Sequence, residues 1–139
     1  MLTYKLEFAE CIIRVFTGIL FFFQGYDKVF KIKMNGVINN FLEEAEQIHV
    51  HRPLVSVIAY CTSFIELVGG LFLIIGLYTN YTLLALGFDL VLVCFAFSII
   101  RPMWDMQHVF PRLLLVSGLL FIPNEHTKIA LDYFLNLNK

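Results

Sequence analysis

The stretch that most constrains this chain is residues 54–77, LVSVIAYCTSFIELVGGLFLIIGL, in which Glu66 is the sole charge. A helix rising 1.5 Å per residue needs about 20 apolar residues to cover a hydrocarbon core of roughly 30 Å, and this run meets that length. Pro53 stands directly before it, at a position suited to the first turn of a helix. The span is therefore read as 53–77. The polar break Tyr78-Thr79-Asn80 is long enough only for a tight turn, so the apolar run at 82–100, carrying Asp89, must return beside it.

Two further spans follow from the same template. Residues 11–30, CIIRVFTGILFFFQGYDKVF, hold Arg14 near one end and Asp27 and Lys28 at the other, where Lys28 is expected to reach the membrane interface. At the far end the uninterrupted apolar stretch is only Leu113 to Ile122, so a crossing there has to recruit its polar first half and is read as 104–122. That choice brings Asp105, Gln107, His108, Pro111 and Arg112 to membrane depth, where lipid offers them no partner, and a polar stripe facing protein is expected.

Composition agrees with a chain built from such segments: 59% of the residues are hydrophobic, 15% are charged and the mean hydropathy is +0.77. A net charge of -1 lacks the basic excess that nucleic acid would require. Lys5 is followed by Glu7 and Glu10, and no small-residue cleavage site follows the first apolar run, which is read as a retained helix. Cys11, Cys61 and Cys94 are odd in number and show no CxxC spacing, so neither a disulfide framework nor a zinc site is expected. The His49-Val50-His51 pair lacks further ligands, and no metal is expected there.

The expected architecture is all-α: one integral membrane domain over residues 1–139, a four-helix bundle running up, down, up and down. Between its first two spans, residues 36–49 place Ile38, Phe41, Leu42, Ala45 and Ile48 opposite Glu43, Glu44, Glu46 and Gln47, the pattern of an amphipathic helix on the interface. In the tail, Ile129, Tyr133, Phe134 and Leu137 share a helical face after a stop at Pro123-Asn124. The loop basic residues Lys28, Lys31, Lys33, Arg52 and Arg101 place loops one and three on the cytoplasmic side.

Depth arithmetic brings the intramembrane charges together. Glu66 and Arg112 fall near the bilayer centre, and Asp89 about two residues, roughly 3 Å, from that level. Arg14 completes a set of two carboxylates and two guanidinium groups, and Glu66→Ala is then expected to leave Arg112 unpaired. Glu66, Arg112, Asp89, His108, Arg14 and Gln24 are the candidate lining of a polar interior, with Lys28 at the interface. One reading makes that interior a site for a small ligand, a quinone headgroup or protons; the other makes it an inert salt-bridge network. No catalytic residue is assigned. The glycines Gly18, Gly25, Gly69, Gly70 and Gly76 are read as small faces for close helix packing.

Three stretches resemble the DoxX family of small bacterial four-helix membrane proteins. They are Arg14-Val15-x-x-Gly18 leading to Phe22-x-x-Gly25-x-x-Lys28-x-Phe30, then Glu66-x-x-Gly69-Gly70-x-x-Leu73-x-x-Gly76-Leu77-x-Thr79, and Ile129-Ala130-Leu131-Asp132 in the tail. The resemblance implies a multi-pass protein of the bacterial inner membrane. The family's name comes from a subunit associated with thiosulfate:quinone oxidoreductase, which raises a quinone-linked membrane subunit as the alternative to a ligand-binding or partner-binding membrane component. A shared fold does not carry that chemistry over, and no flavin, iron–sulfur or nucleotide motif is present. No bound cofactor is expected unless a quinone occupies the interior. Membrane lipids, a redox or other membrane protein, and a second copy of the chain are the expected partners.

Overall fold

Polar side chains inside and aromatic ones outside define this molecule. In the computed structural model, which describes residues 2–44, 51–100, 109–123 and 129–135, the buried groups include Glu7, Glu10, Arg14, Glu66, Asp89 and Asp132. Phe23, Phe64, Phe88, Leu114 and Phe121 are exposed. In water this distribution would waste apolar surface and strand charges in the core; against lipid it satisfies both sets.

The described residues are helical, with no strand among them. The α-helices are α1 (Leu2–Tyr26), α2 (Lys33–Glu44), α3 (Arg52–Ile75), α4 (Thr79–Ile100), α5 (Val109–Leu120) and the single turn α6 (Leu131–Phe134). α3 packs on α1 and on α4, α4 on α5, and α5 returns against α1. Their shared apolar core is Phe21, Leu73, Leu83, Leu86, Leu90, Val109, Val116 and Leu119. Among the described residues two helices, α3 and the Thr79–Ala96 part of α4, are long and apolar enough to cross a membrane.

α1 begins well before the expected residue 11, with its early carboxylates Glu7 and Glu10 buried: Arg14 reaches back one turn to Glu10, an i,i+4 pair that supports the helix instead of ending it. It then widens into one π turn, Asp27–Lys31, where the Ile32 amide donates to the Asp27 carbonyl at 2.9 Å. Lys33, at φ 62°, reverses the chain into α2. That helix is amphipathic as expected, though it starts at Lys33. Val37 and Ile38 pack on Val55 and Ala59 of α3, while residues 45–49 of the expected 36–49 helix lie outside the described residues.

The α3–α4 bend is tighter than the sequence suggested. Gly76, at φ 70° and ψ 44°, caps α3 in the left-handed conformation, and α4 already starts at Thr79. Gly76 is thus a turn residue and not part of a packing face. The other glycines behave as expected: a Cβ on Gly25 would lie 2.5 Å from the Leu67 nitrogen, and one on Gly70 would collide with the Phe22 nitrogen, so α1 and α3 touch backbone to backbone. Residues 104–108 of the expected 104–122 span lie outside the described residues, and α5 covers 109–120 of it. At 12 residues it rises about 18 Å, short of a bilayer core.

Candidate functional site

The buried polar side chains separate into two clusters. The first gathers at the α3–α4 bend. Arg14, 1% exposed, donates from Nε to Glu10 Oε1 at 2.8 Å, from Nη1 to the Leu73 carbonyl at 2.8 Å and from Nη2 to the Ile129 carbonyl at 2.9 Å. Leu73 lies in the last turn of α3, where carbonyls lack the i+4 amide and favour a cation; its oxygen also accepts the Gly76 amide at 3.2 Å. From the tail, Asp132 accepts the Tyr78 and Thr79 amides at 2.6 and 2.7 Å, capping α4, while its own amide donates to the Gly76 carbonyl at 2.9 Å. A Cβ on Gly76 would meet Arg14 Nη1 at 2.7 Å and Ala130 Cβ at 2.8 Å, so only glycine fits between the guanidinium and the tail.

This cluster corrects one expectation. Arg14 does not balance Glu66 or Asp89; it is spent on Glu10 and on two carbonyls near the bend. Midpoint arithmetic missed this because it fixed the first span at 11–30, whereas the helix begins at Leu2 and slides Arg14 to the level of the α3 C-terminus. The Glu10–Arg14 spacing was the available signal. Asp132 had no local signal, since its partners are more than fifty residues away in sequence.

The second cluster lies midway along α3 and α4. Glu66 is ten residues before Gly76 and Asp89 ten residues after Thr79, so both carboxyls sit about 15 Å from the bend on adjacent helices, near the centre of a hydrocarbon layer. Glu66, 1% exposed, accepts Lys28 Nζ at 2.8 Å on Oε1 and 2.6 Å on Oε2, and Gln24 Nε2 at 2.9 Å on Oε1. Gln24 and Lys28 are four apart, so one face of the first helix serves one carboxylate. Lys28 therefore turns inward instead of reaching the interface. Its neighbours Asp27 and Lys31 pair with each other on the outside at 2.7 Å, and that bond holds the Lys31 pKa above the ordinary lysine value.

Asp89 is fully buried, and neither carboxyl oxygen has a hydrogen-bond partner among the described residues. It lies within electrostatic reach of Glu66 and Lys28. Arg112 is half-buried and within reach of Glu66, but no hydrogen bond or ion pair joins them among the described residues. The expected Glu66–Arg112 pairing is replaced by Glu66–Lys28. His108 lies outside the described residues. Ser63, one turn before Glu66, is buried with its hydroxyl unpartnered, as is Gln24 Oε1. An apolar groove between α3 and α4, lined by Phe64, Val68, Phe72, Tyr81 and Ala85 among others, includes none of these charged groups. Among the described residues no group of three metal-ligating side chains is found, and no disulfide joins Cys11, Cys61 and Cys94.

An all-helical membrane protein with a buried charged centre and a separately locked hairpin bend is the class these features define. Comparison with protein-family models matches the DoxX family over residues 9–99, and the chain belongs to that family. Neither the curated proteins nor the solved structures provide a match. The matched region contains Arg14, Gln24, Lys28, Glu66, Gly76 and Asp89; Asp132 lies beyond it.

Proposed function

We propose that this chain is a multi-pass protein of a bacterial inner membrane, in which α1, α3, α4 and a segment ending in α5 cross the bilayer. Its mid-membrane centre of Gln24, Lys28, Glu66 and Asp89 binds a small or lipid-like ligand. The observation that carries the reading is Asp89. A carboxyl with both oxygens unpartnered and no exposure costs stability, commonly by about 1–3 kcal/mol, and a purely structural network would have supplied it a donor. Glu66 beside it has three donor contacts, which shows what a satisfied carboxylate looks like at the same depth.

The chain's own groups define what such a site does. It recognises a polar group inside an apolar surround, and it holds no nucleophile with an adjacent base that would suggest bond breaking among the described residues. Native mass spectrometry on gently purified protein tests the reading. One small molecule per chain, retained by the wild type and lost from Asp89→Asn, supports it; wild type and variant carrying only the same phospholipids would overturn it. A quinone as that molecule, or a stoichiometric redox subunit, would redirect the assignment to a subunit of a quinone-linked oxidoreductase.

A further inference from the structure

The donor and acceptor inventory of the mid-membrane centre is one-sided. Every hydrogen bond that Gln24 Nε2 and Lys28 Nζ make there goes to Glu66. What remains buried and unpartnered is Oδ1 and Oδ2 of Asp89, Oε1 of Gln24 and Oγ of Ser63, three pure acceptors and one hydroxyl. The charges are unevenly shared too. Glu66 has Lys28 bonded to it and Arg112 within electrostatic reach, whereas Asp89 is a second carboxyl with no cation bonded to it. A complementary ligand donates several hydrogen bonds, accepts few and carries one positive charge.

Resting on the ligand-binding reading above, we propose that the Asp89 side of this centre takes a protonated amine, its ammonium donating to the Asp89 carboxylate and to the Gln24 carbonyl. Lys28 is the precedent within the molecule, since its ammonium occupies the equivalent position on Glu66 at 2.6 and 2.8 Å. The depth, about 15 Å from the bend, rules out a phospholipid headgroup, which stays at the surface. The amine is either dissolved in the membrane through an alkyl tail or admitted from water as a small cation.

Equilibrium dialysis into uncharged maltoside micelles, with and without the full chain, tests the charge and the residue together. The probes are decylamine, decanol and decanoate, which share a tail and differ in headgroup. Decylamine is expected to bind saturably at one per chain, at least tenfold more tightly than the other two, and to lose tenfold or more in Asp89→Asn. Lys28→Met frees Glu66 for a second ammonium and is expected to raise binding, which separates recognition from a folding defect. Methylammonium that displaces the decyl probe assigns the amine to water; an inability to displace it assigns the amine to the membrane. Asp89-dependent binding that favours decanol or decanoate overturns the charge assignment and leaves the ligand site standing. Absence of Asp89-dependent binding for all three probes overturns the site as well.

Discussion

Lys28 and Glu66 meet at 2.6 Å across the α1–α3 interface, and the ion pair they form is buried on the glutamate side and 22% exposed on the lysine side. The lysine comes from the π turn that ends the first helix, so the pair ties a backbone irregularity to the middle of the next span. Removing one partner leaves the other's charge in an apolar surround. Glu66→Ala is expected to destabilise the protein by about 3 kcal/mol, the lower end of the range for breaking a buried pair, because Lys28 keeps some access outward. Lys28→Met combined with Glu66→Gln should recover most of that loss. Melting in detergent checks both; a Glu66→Ala protein as stable as wild type would remove the pair from any structural role.

The contact between α1 and α3 makes a sharper prediction through its glycines. Gly25→Ala would place a Cβ 2.5 Å from the Leu67 nitrogen, and backbone cannot swing aside as a side chain can. The helices must separate, and a loss of about 1–3 kcal/mol or more is expected from overpacking. Gly118→Ala is the control: its Cβ would meet nothing within 4 Å, and alanine is the better helix former, so stability should hold or rise by up to about 1 kcal/mol. The pair of variants, compared in one detergent, separates close packing from a general intolerance of larger residues.

At the bend, Asp132 holds two amides that α4 cannot satisfy itself. Asp132→Ala is expected to cost about 1–2 kcal/mol as a lost cap and to release the tail from the bend. Hydrogen exchange read at Tyr78 and Thr79 should accelerate, with amides in the middle of α4 unchanged. Asp132→Asn keeps one acceptor oxygen and should fall between. Uniform acceleration along α4 would mean that the contact supports the whole helix rather than its first turn.

The sequence was legible where length and polarity decide the outcome. Residues 53–77 and 82–100 emerged as α3 and α4 with no end more than three residues off, because a long apolar run has few alternatives. The carboxyls Glu66 and Asp89 were placed at similar depth by counting alone, and Gln24 was placed in the interior. Partnerships were not legible. Counting assigns each charge a depth but not a partner, so it sends Lys28 outward and Arg14 into the central charge set, whereas the π turn brings Lys28 onto Glu66 and the earlier helix start gives Arg14 to Glu10 near the bend. Gly76 shows the same gap, since the groups that leave no room for a side chain there, Ala130 of the tail and the Arg14 guanidinium, are far from it in sequence.

Asp89 gives the prediction that best separates function from architecture. If its carboxyl served the fold, replacing it would lower stability, as for Glu66. Its oxygens have no partner among the described residues, so the fold gains no hydrogen bond from them and bears the cost of burying them. Asp89→Leu, similar in shape and apolar, is therefore expected to melt at or above wild type, with a gain of about 1–3 kcal/mol, while abolishing ligand retention. A residue that costs stability and is needed for binding is what a site under functional demand produces. Melting and native mass spectrometry on the same preparation read both sides at once. A destabilised Asp89→Leu would show that the carboxyl supports the packing of α3 and α4, and the ligand site would have to be sought elsewhere.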